Sequence, residues 1–133
     1  MPKTRKTTKP DYKPVEISIA GDCATNTFSD GGKVWRVLSL IHHAKDLEPF
    51  DLPLSCINLA TTTWEGDTKT IKGFAGHMKR VNEADLKYPV IMDDDGFIMD
   101  GWHRVAKALV LGLATIKAVR FDKTPPCDYE KAE

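Results

Sequence analysis

The sequence changes from strand to helix periodicity within a few residues, just after a short acidic turn. Apolar residues 90–92 and 97–99 flank the turn 93–96, which ends in Asp-Gly and predicts a β-hairpin. Apolar side chains then follow helical spacing, at Val105, Ala108, Leu109 and Leu113. Asp100 and Gly101 lie at the change, so the sequence predicts a glycine at the start of an amphipathic helix.

The start of this predicted helix has the chemistry of an anion site. The first amides of a helix have no intrahelical partner, and together they carry about half a unit of positive charge. A phosphate placed there would meet these amides as well as His103 and Arg104, and Gly101 would let it come close. We therefore expect phosphate binding where the helix begins.

The same residues carry a family resemblance. The pattern Gly-x-His-Arg-x-x-x-Ala over 101–108, followed by an apolar strand at 115–121, resembles the phosphate-binding box of the ParB/sulfiredoxin superfamily. Residues 50–57, 70–81 and 88–91 are similar to the opening strand, the next helix and the next strand of these domains. The resemblance covers residues 50–121 and implies an α/β (α+β) domain that binds a nucleotide, with a small mixed sheet and flanking helices.

Departures from the superfamily narrow the expected activity. Sulfiredoxins place a nucleophilic cysteine directly before the His-Arg pair, where this chain has Trp102, which argues against sulfinic acid repair. Partition ParB proteins continue into a helix-turn-helix and a dimerisation domain. Because this sequence ends soon after its last predicted strand, we expect a stand-alone nucleotide-binding module, which suits phage or mobile genomes. Free serine kinases of the superfamily share the Asp-Gly-x-His-Arg form found at 100–104, so phosphoryl transfer stays open.

Length and composition fit one cytoplasmic domain. The chain has 133 residues, of which 41% are apolar and 29% charged, enough to fill one core. It has no membrane-length apolar run and no secretion signal, and its three cysteines are too scattered for a disulfide framework. We expect a weakly ordered tail over 1–32, a ParB/sulfiredoxin-like domain over 33–121 and a C-terminal tail over 122–133, with regular structure ending at Pro125-Pro126.

The first fourteen residues are basic. Five lysine or arginine side chains oppose only Asp11, a net charge of +4, although the whole chain is formally neutral. Such a tail is either a solvated end or a nonspecific contact to DNA phosphates, and composition favours the solvated end.

The oligomeric state is left open by the sequence, and a homodimer is one possibility.

Helical spacing predicts two more helices. One covers residues 33–48, ahead of the superfamily's opening strand, with a strand over 35–40 as the alternative. Its apolar positions are Val34, Val37, Leu38, Ile41, Ala44 and Leu47. The other ends near Glu83, and its predicted core face consists of Ile71, Phe74, Met78 and Val81.

Three residues at the start of the third helix are candidates for phosphate chemistry. Arg104 has a guanidinium fork that matches two phosphate oxygens, and its alternative is a surface ion pair. His103 either donates to a phosphate and relays a proton or is satisfied locally. Asp100 either acts in catalysis, by orienting His103, binding Mg²⁺ or accepting a proton, or only caps the helix.

Further candidates lie nearby in the implied fold. Lys107 shares a helix face with Arg104 and would widen the anion site, unless it is simply solvated. His77 and Arg80 share a face of the second helix, and they either complete the site or form a polar outer surface. In the preceding loop, Trp64 would stack on a base and Glu65 would serve as base or metal ligand. The alternative for Trp64 is to cover an edge of the core.

These residues support a small enzyme that binds ATP or another nucleoside triphosphate with Mg²⁺ and transfers or hydrolyses a phosphate. The alternative is a nonenzymatic ParB-like partition or regulatory module, whose nucleotide state controls binding to DNA or protein. A nuclease ranks third, because the sequence lacks clustered carboxylates that would hold two metal ions.

Overall fold

A computed structural model of the chain describes residues 26–64, 66 and 68–131, and these form three α-helices and two small β-sheets. The expected α+β class is therefore confirmed. The strands are β1 Thr27–Asp30, β2 Lys33–Arg36, β3 Phe50–Pro53, β4 Val90–Met92, β5 Ile98–Asp100, β6 Thr115–Arg120 and β7 Tyr129–Glu130. The helices are α1 Val37–Ala44, α2 Ile71–Glu83 and α3 Trp102–Val110, with a 3₁₀ turn at Leu54–Cys56.

The larger sheet carries the third helix. Its strand order is β3-β6-β4-β5, with β4 parallel to β6 and the other pairs antiparallel, so the sheet is mixed. The helix α3 connects β5 to β6 and contacts both β4 and β6. This connection places the start of α3 at the end of β5, as the periodicity predicted.

The larger sheet is buried on both faces. One face packs with the 3₁₀ turn and α3, and the other with β2 and α1. The buried side chains of the first face are Leu52, Leu54, Val90, Met92, Ile98, Val105, Ala108, Ile116 and Ala118. Those of the second are Trp35, Leu40, Ala44, Ile91, Met99, Val119 and Phe121. Alternation along short strands explains the division, because successive side chains point to opposite faces.

A hairpin occupies the beginning of the predicted helix 33–48. Gly31 and Gly32 both have positive φ, 58° and 82°, which suits the tight turn between β1 and β2. The helix prediction is therefore wrong over residues 33–36, and α1 begins only at Val37. Trp35 packs against Phe28 with ring centroids 5.8 Å apart, so cross-strand packing prevails over helical spacing here. Regular structure thus begins earlier than residue 33.

Residues 121–131, which follow β6, also pack against the rest of the domain. β7 pairs with β2, and the indole Nε1 of Trp35 donates to the Pro125 carbonyl at 2.8 Å. The Asp128 carboxylate accepts hydrogen bonds from the Arg36 amide at 2.6 Å and from the Ser39 hydroxyl at 2.9 Å. The expectation that regular structure ends at Pro125-Pro126 is therefore wrong, because β2 offers an edge for the returning chain to pair with.

The helix α2 is turned away from the orientation that its apolar pattern predicts. Ile71 is 88% exposed, and Phe74 and Met78 are also exposed, so of the predicted core face only Val81 is buried. The buried side is instead formed by Gly76, His77 and Val81. A histidine therefore faces the interior of the domain where the apolar pattern predicted Phe74 and Met78.

Candidate functional site

Gly101 is the N-cap of α3, and packing demands a glycine there. Its φ is 118°, and a Cβ added at this position would lie 2.5 Å from Cγ1 of Val90. The first intrahelical bond runs from the Val105 amide to the Gly101 carbonyl at 3.0 Å, so the amides of residues 102–104 precede the helical ladder. The helix therefore starts in the expected place, but the contact with Val90 explains the glycine without a ligand.

The Arg104 guanidinium is engaged with the protein itself. Nη1 donates to the carbonyls of Tyr88 at 2.9 Å and Pro89 at 2.7 Å, while Nη2 pairs with Oδ2 of Asp100 at 2.8 Å. Only 17% of the Arg104 side chain is exposed, against 21% for Asp100. Arg104 therefore ties the segment leading into β4 to the end of β5, and the residue lies at the predicted site in a structural role.

Lys107 has a similar role one turn further along α3. Its Nζ donates to the carbonyls of Asn82 at 2.8 Å and Ala84 at 2.6 Å, at the end of α2. A cation at a helix C-terminus compensates the exposed carbonyls and the negative end of the dipole. Together, Arg104 and Lys107 hold the connection between α2 and β4 against α3.

Asp100 ends β5 and precedes the N-cap. It makes the ion pair with Arg104, and the N-cap Gly101 has no side chain to cap the first turn. Of the two uses the sequence left open for Asp100, capping is not observed. The carboxylate still lies directly beside the start of α3.

Trp64, His77 and His103 form an aromatic cluster that joins the loop, α2 and α3. The Trp64 and His77 ring centroids are 4.0 Å apart, and His103 lies 4.9 Å from each of the other two rings. His77 is only 7% exposed. The structure therefore brings together three residues that sequence reasoning assigned to one site from separate segments.

Arg80 lies one turn after His77 on α2. Arg80 and the start of α3 both line an open groove on the surface of the domain. Its Nε atom is buried and has no hydrogen-bond partner in the described part of the chain. A buried donor without a partner costs free energy, so an acceptor at this position would be stabilising. Among the described residues that line the groove, Arg80 therefore has a donor left for a ligand.

An open groove connects these elements. Part of its lining consists of loop residues 61–64, Arg80 and Asp100, Gly101, His103 and Arg104 at the start of α3, and it extends from there to β1 and α1. Tyr88 also lines it and was not predicted as a site residue, because an exposed tyrosine before a proline has no distinctive sequence pattern. Glu65, the remaining predicted site residue, lies outside the described residues.

Metal binding by protein groups alone is not seen in the described segments. They contain no group of three or more histidine, cysteine, aspartate or glutamate side chains placed to hold an ion. Mg²⁺ commonly takes one or two carboxylates together with substrate phosphates and water. Asp100 could supply one such carboxylate, so the lining of the groove is compatible with a Mg²⁺ ion that arrives with phosphates.

Comparisons with known proteins give no further identification: no family model, curated protein or solved structure matches the chain. In the described part of the chain, every helix is too short or too polar to cross a bilayer.

Proposed function

We propose that this chain binds a nucleoside triphosphate in the groove at the start of α3 and transfers or hydrolyses its terminal phosphate. The observation that carries the proposal is the buried, unpartnered Nε of Arg80, which lines the same groove as the amides preceding the α3 ladder. Two independent sources of positive charge thus line one groove. The resemblance to the ParB/sulfiredoxin superfamily supports the same ligand.

The residues divide into two groups under this proposal. Arg80, His103 and the amides of residues 102–104 would hold the phosphates, since these donors lie at the groove. Arg104 and Lys107 would shape the site through the backbone carbonyls that they bind. This reassigns Arg104 from a ligand to a support for the helix start.

Asp100 would supply the carboxylate of the reaction. It would either accept a proton from the attacking hydroxyl or water, or hold Mg²⁺ against the phosphates. Mg²⁺ bound with the nucleotide would neutralise charge on the phosphate oxygens. A site of action in the cytoplasm is part of the proposal, and the free thiols of Cys56 and Cys127 fit a reducing compartment.

Binding and turnover of nucleotides test the proposal together. Thermal melting with the four ribonucleoside triphosphates, with and without Mg²⁺, should show a rise in Tm for at least one of them. Calorimetry should then show Arg80→Gln weakening the affinity at least tenfold, because it removes a charge-assisted hydrogen bond. The matched control is Lys79→Gln, which removes an exposed charge from the same helix and should change affinity little. The absence of any nucleotide effect on Tm would refute the proposal, and binding without phosphate release would leave a regulatory module.

A further inference from the structure

Trp64 is poorly placed to stack on a base. Its ring is already packed against the imidazoles of His77 and His103, at centroid distances of 4.0 and 4.9 Å. A base on a face of Trp64 that one of these rings covers would have to displace that ring. A more exposed aromatic side chain in the same groove would be the better stacking surface.

Tyr88 offers such a surface. Its side chain is 57% exposed, and the residue lines the same groove as Trp64 and the start of α3. Tyrosine presents a large rigid face at little cost in conformational entropy, and any of the bases can stack on it.

The backbone of Tyr88 is held in place on both sides. Its carbonyl accepts from Nη1 of Arg104 at 2.9 Å, and its amide donates to the Asp85 carbonyl at 3.3 Å. Pro89 follows directly, which fixes the next φ angle. The ring thus projects from an ordered segment, so stacking would not require a loop to be ordered first.

Tyr88 also lies within reach of the phosphate position. One arginine side chain, that of Arg104, spans from the first turn of α3 to the Tyr88 carbonyl. The Tyr88 backbone therefore lies about one side-chain length from the helix start, a separation that the sugar and phosphates of a nucleotide would span. The Lys87 ammonium lies over one face of the Tyr88 ring, 5.1 Å from its centroid, so a base would stack on the opposite face.

We infer that Tyr88 is the base-stacking residue of this site, and that the ligand is a nucleotide with a base, in preference to inorganic polyphosphate or a sugar phosphate. The inference rests on the proposed phosphate site. It adds a binding residue and a reason for selectivity that the phosphate site alone does not supply.

A comparison of two ligands separates stacking from phosphate binding. Calorimetry would measure the affinities of the tightest-binding nucleoside triphosphate and of inorganic tripolyphosphate for the wild type, Tyr88→Ala and Tyr88→Phe. We expect Tyr88→Ala to weaken the nucleotide about 5- to 150-fold and to leave tripolyphosphate unchanged. Tyr88→Phe keeps the aromatic face and should retain wild-type affinity for both ligands. Tyr129→Ala, on β7 of the other sheet, is the matched control and should alter neither affinity.

The outcomes distinguish a failure of base stacking from a failure of phosphate binding. If Tyr88→Ala weakens both ligands equally, or neither, Tyr88 does not stack on the base and the inference fails while the phosphate site stands. Equal affinity of the wild type for the nucleotide and for tripolyphosphate would also overturn the inference about Tyr88 and leave the phosphate site standing. If the wild type binds neither ligand, the proposed function and the inference fail together. Because Tyr88 is exposed, its variants should melt close to the wild type, which a thermal scan would check.

Discussion

Arg104 and Asp100 form a 2.8 Å ion pair in which both side chains are mostly shielded from solvent. Lys117 and Asp51 make a pair of nearly the same length, 2.7 Å, but these side chains are 53% and 62% exposed. The first pair is supported by two further bonds from Arg104 to backbone carbonyls. Burial and hydrogen bonding, more than distance, decide what such pairs contribute to stability.

Replacing Arg104 should therefore destabilise the fold far more than replacing Lys117. Arg104→Lys keeps the charge but loses the planar fork that reaches three acceptors, and we expect a loss of about 1–3 kcal/mol in the free energy of unfolding. Lys117→Met should cost less than about 1 kcal/mol. Urea denaturation of the two variants measures the difference, and equal losses would show that the Arg104 contacts are not structural.

Gly101 should tolerate no side chain. Gly101→Ala combines a positive φ with a Cβ placed 2.5 Å from Val90, and we expect it to cost about 2–5 kcal/mol. Gly112→Ala is the matched control, because its φ is also positive, 71°, but its added Cβ would meet nothing within 4 Å. Backbone strain alone should cost about 1–2 kcal/mol there.

The steric part of the Gly101 effect can be isolated. In a Val90→Ala background the contact with Val90 Cγ1 is gone, so the added cost of Gly101→Ala should fall. A cost that is the same in both backgrounds, or the same as that of Gly112→Ala, would contradict the packing explanation for this glycine. Chemical denaturation of the four variants provides the comparison.

Asp128 should make stability depend on acid pH. The hydrogen bond from the Arg36 amide holds the pKa of this carboxyl below its ordinary value, with help from the Ser39 hydroxyl and the Arg36 and His43 charges, while desolvation opposes them. A lowered folded-state pKa means that the stabilisation is present above the ordinary aspartate pKa and is lost as pH falls through the folded value. The loss should therefore occur below about pH 4.

Asp128→Asn removes the titrating group and should flatten that part of the curve. The variant should also be less stable than the wild type at neutral pH, by about 1 kcal/mol given its exposed position. Denaturation midpoints between neutral pH and pH 2.5 would measure both effects. Parallel curves for the variant and the wild type would show that other carboxyls carry the acid dependence.

Asp100→Asn should separate catalysis from binding. If Asp100 is the reacting carboxylate, turnover of the nucleotide should fall about 100-fold or more, while nucleotide affinity changes little. The ion pair with Arg104 is lost as well, so Arg104→Met serves as the control, because it breaks the same pair and keeps the carboxylate. Arg104→Met keeps the carboxylate and should lose less turnover than Asp100→Asn, and wild-type turnover in Asp100→Asn would remove Asp100 from the mechanism.

Local rules predicted the start of the third helix well. The hairpin β4–β5 and the helix α3 follow from an Asp-Gly turn and from apolar spacing that changes within a few residues. Trp64, His77 and His103, which form one cluster, could be assigned to one site because the fold implied by the resemblance places their three segments side by side. The spacing of apolar residues could not show, however, that the Arg104 guanidinium donates hydrogen bonds to the carbonyls of Tyr88 and Pro89.

Long-range pairing explains the failures. Residues of β2 were predicted to be helical because their apolar side chains also fit helical spacing. In the structure β2 pairs with β1 on one side and with β7 on the other, and β7 is far away in sequence. The helix α2 buries Gly76 and His77 and exposes Ile71, which no periodicity of hydrophobic residues would predict. Both errors arise where tertiary contacts override local preference.

NMR titration of the ¹⁵N-labelled protein with nucleoside triphosphate would show whether amides and Arg80 hold phosphates at the start of α3. We expect the backbone amides of residues 102–104 and the Nε–H signal of Arg80 to shift together, with one dissociation constant. Shifts confined to other surfaces, with these four signals unmoved at saturation, would contradict it.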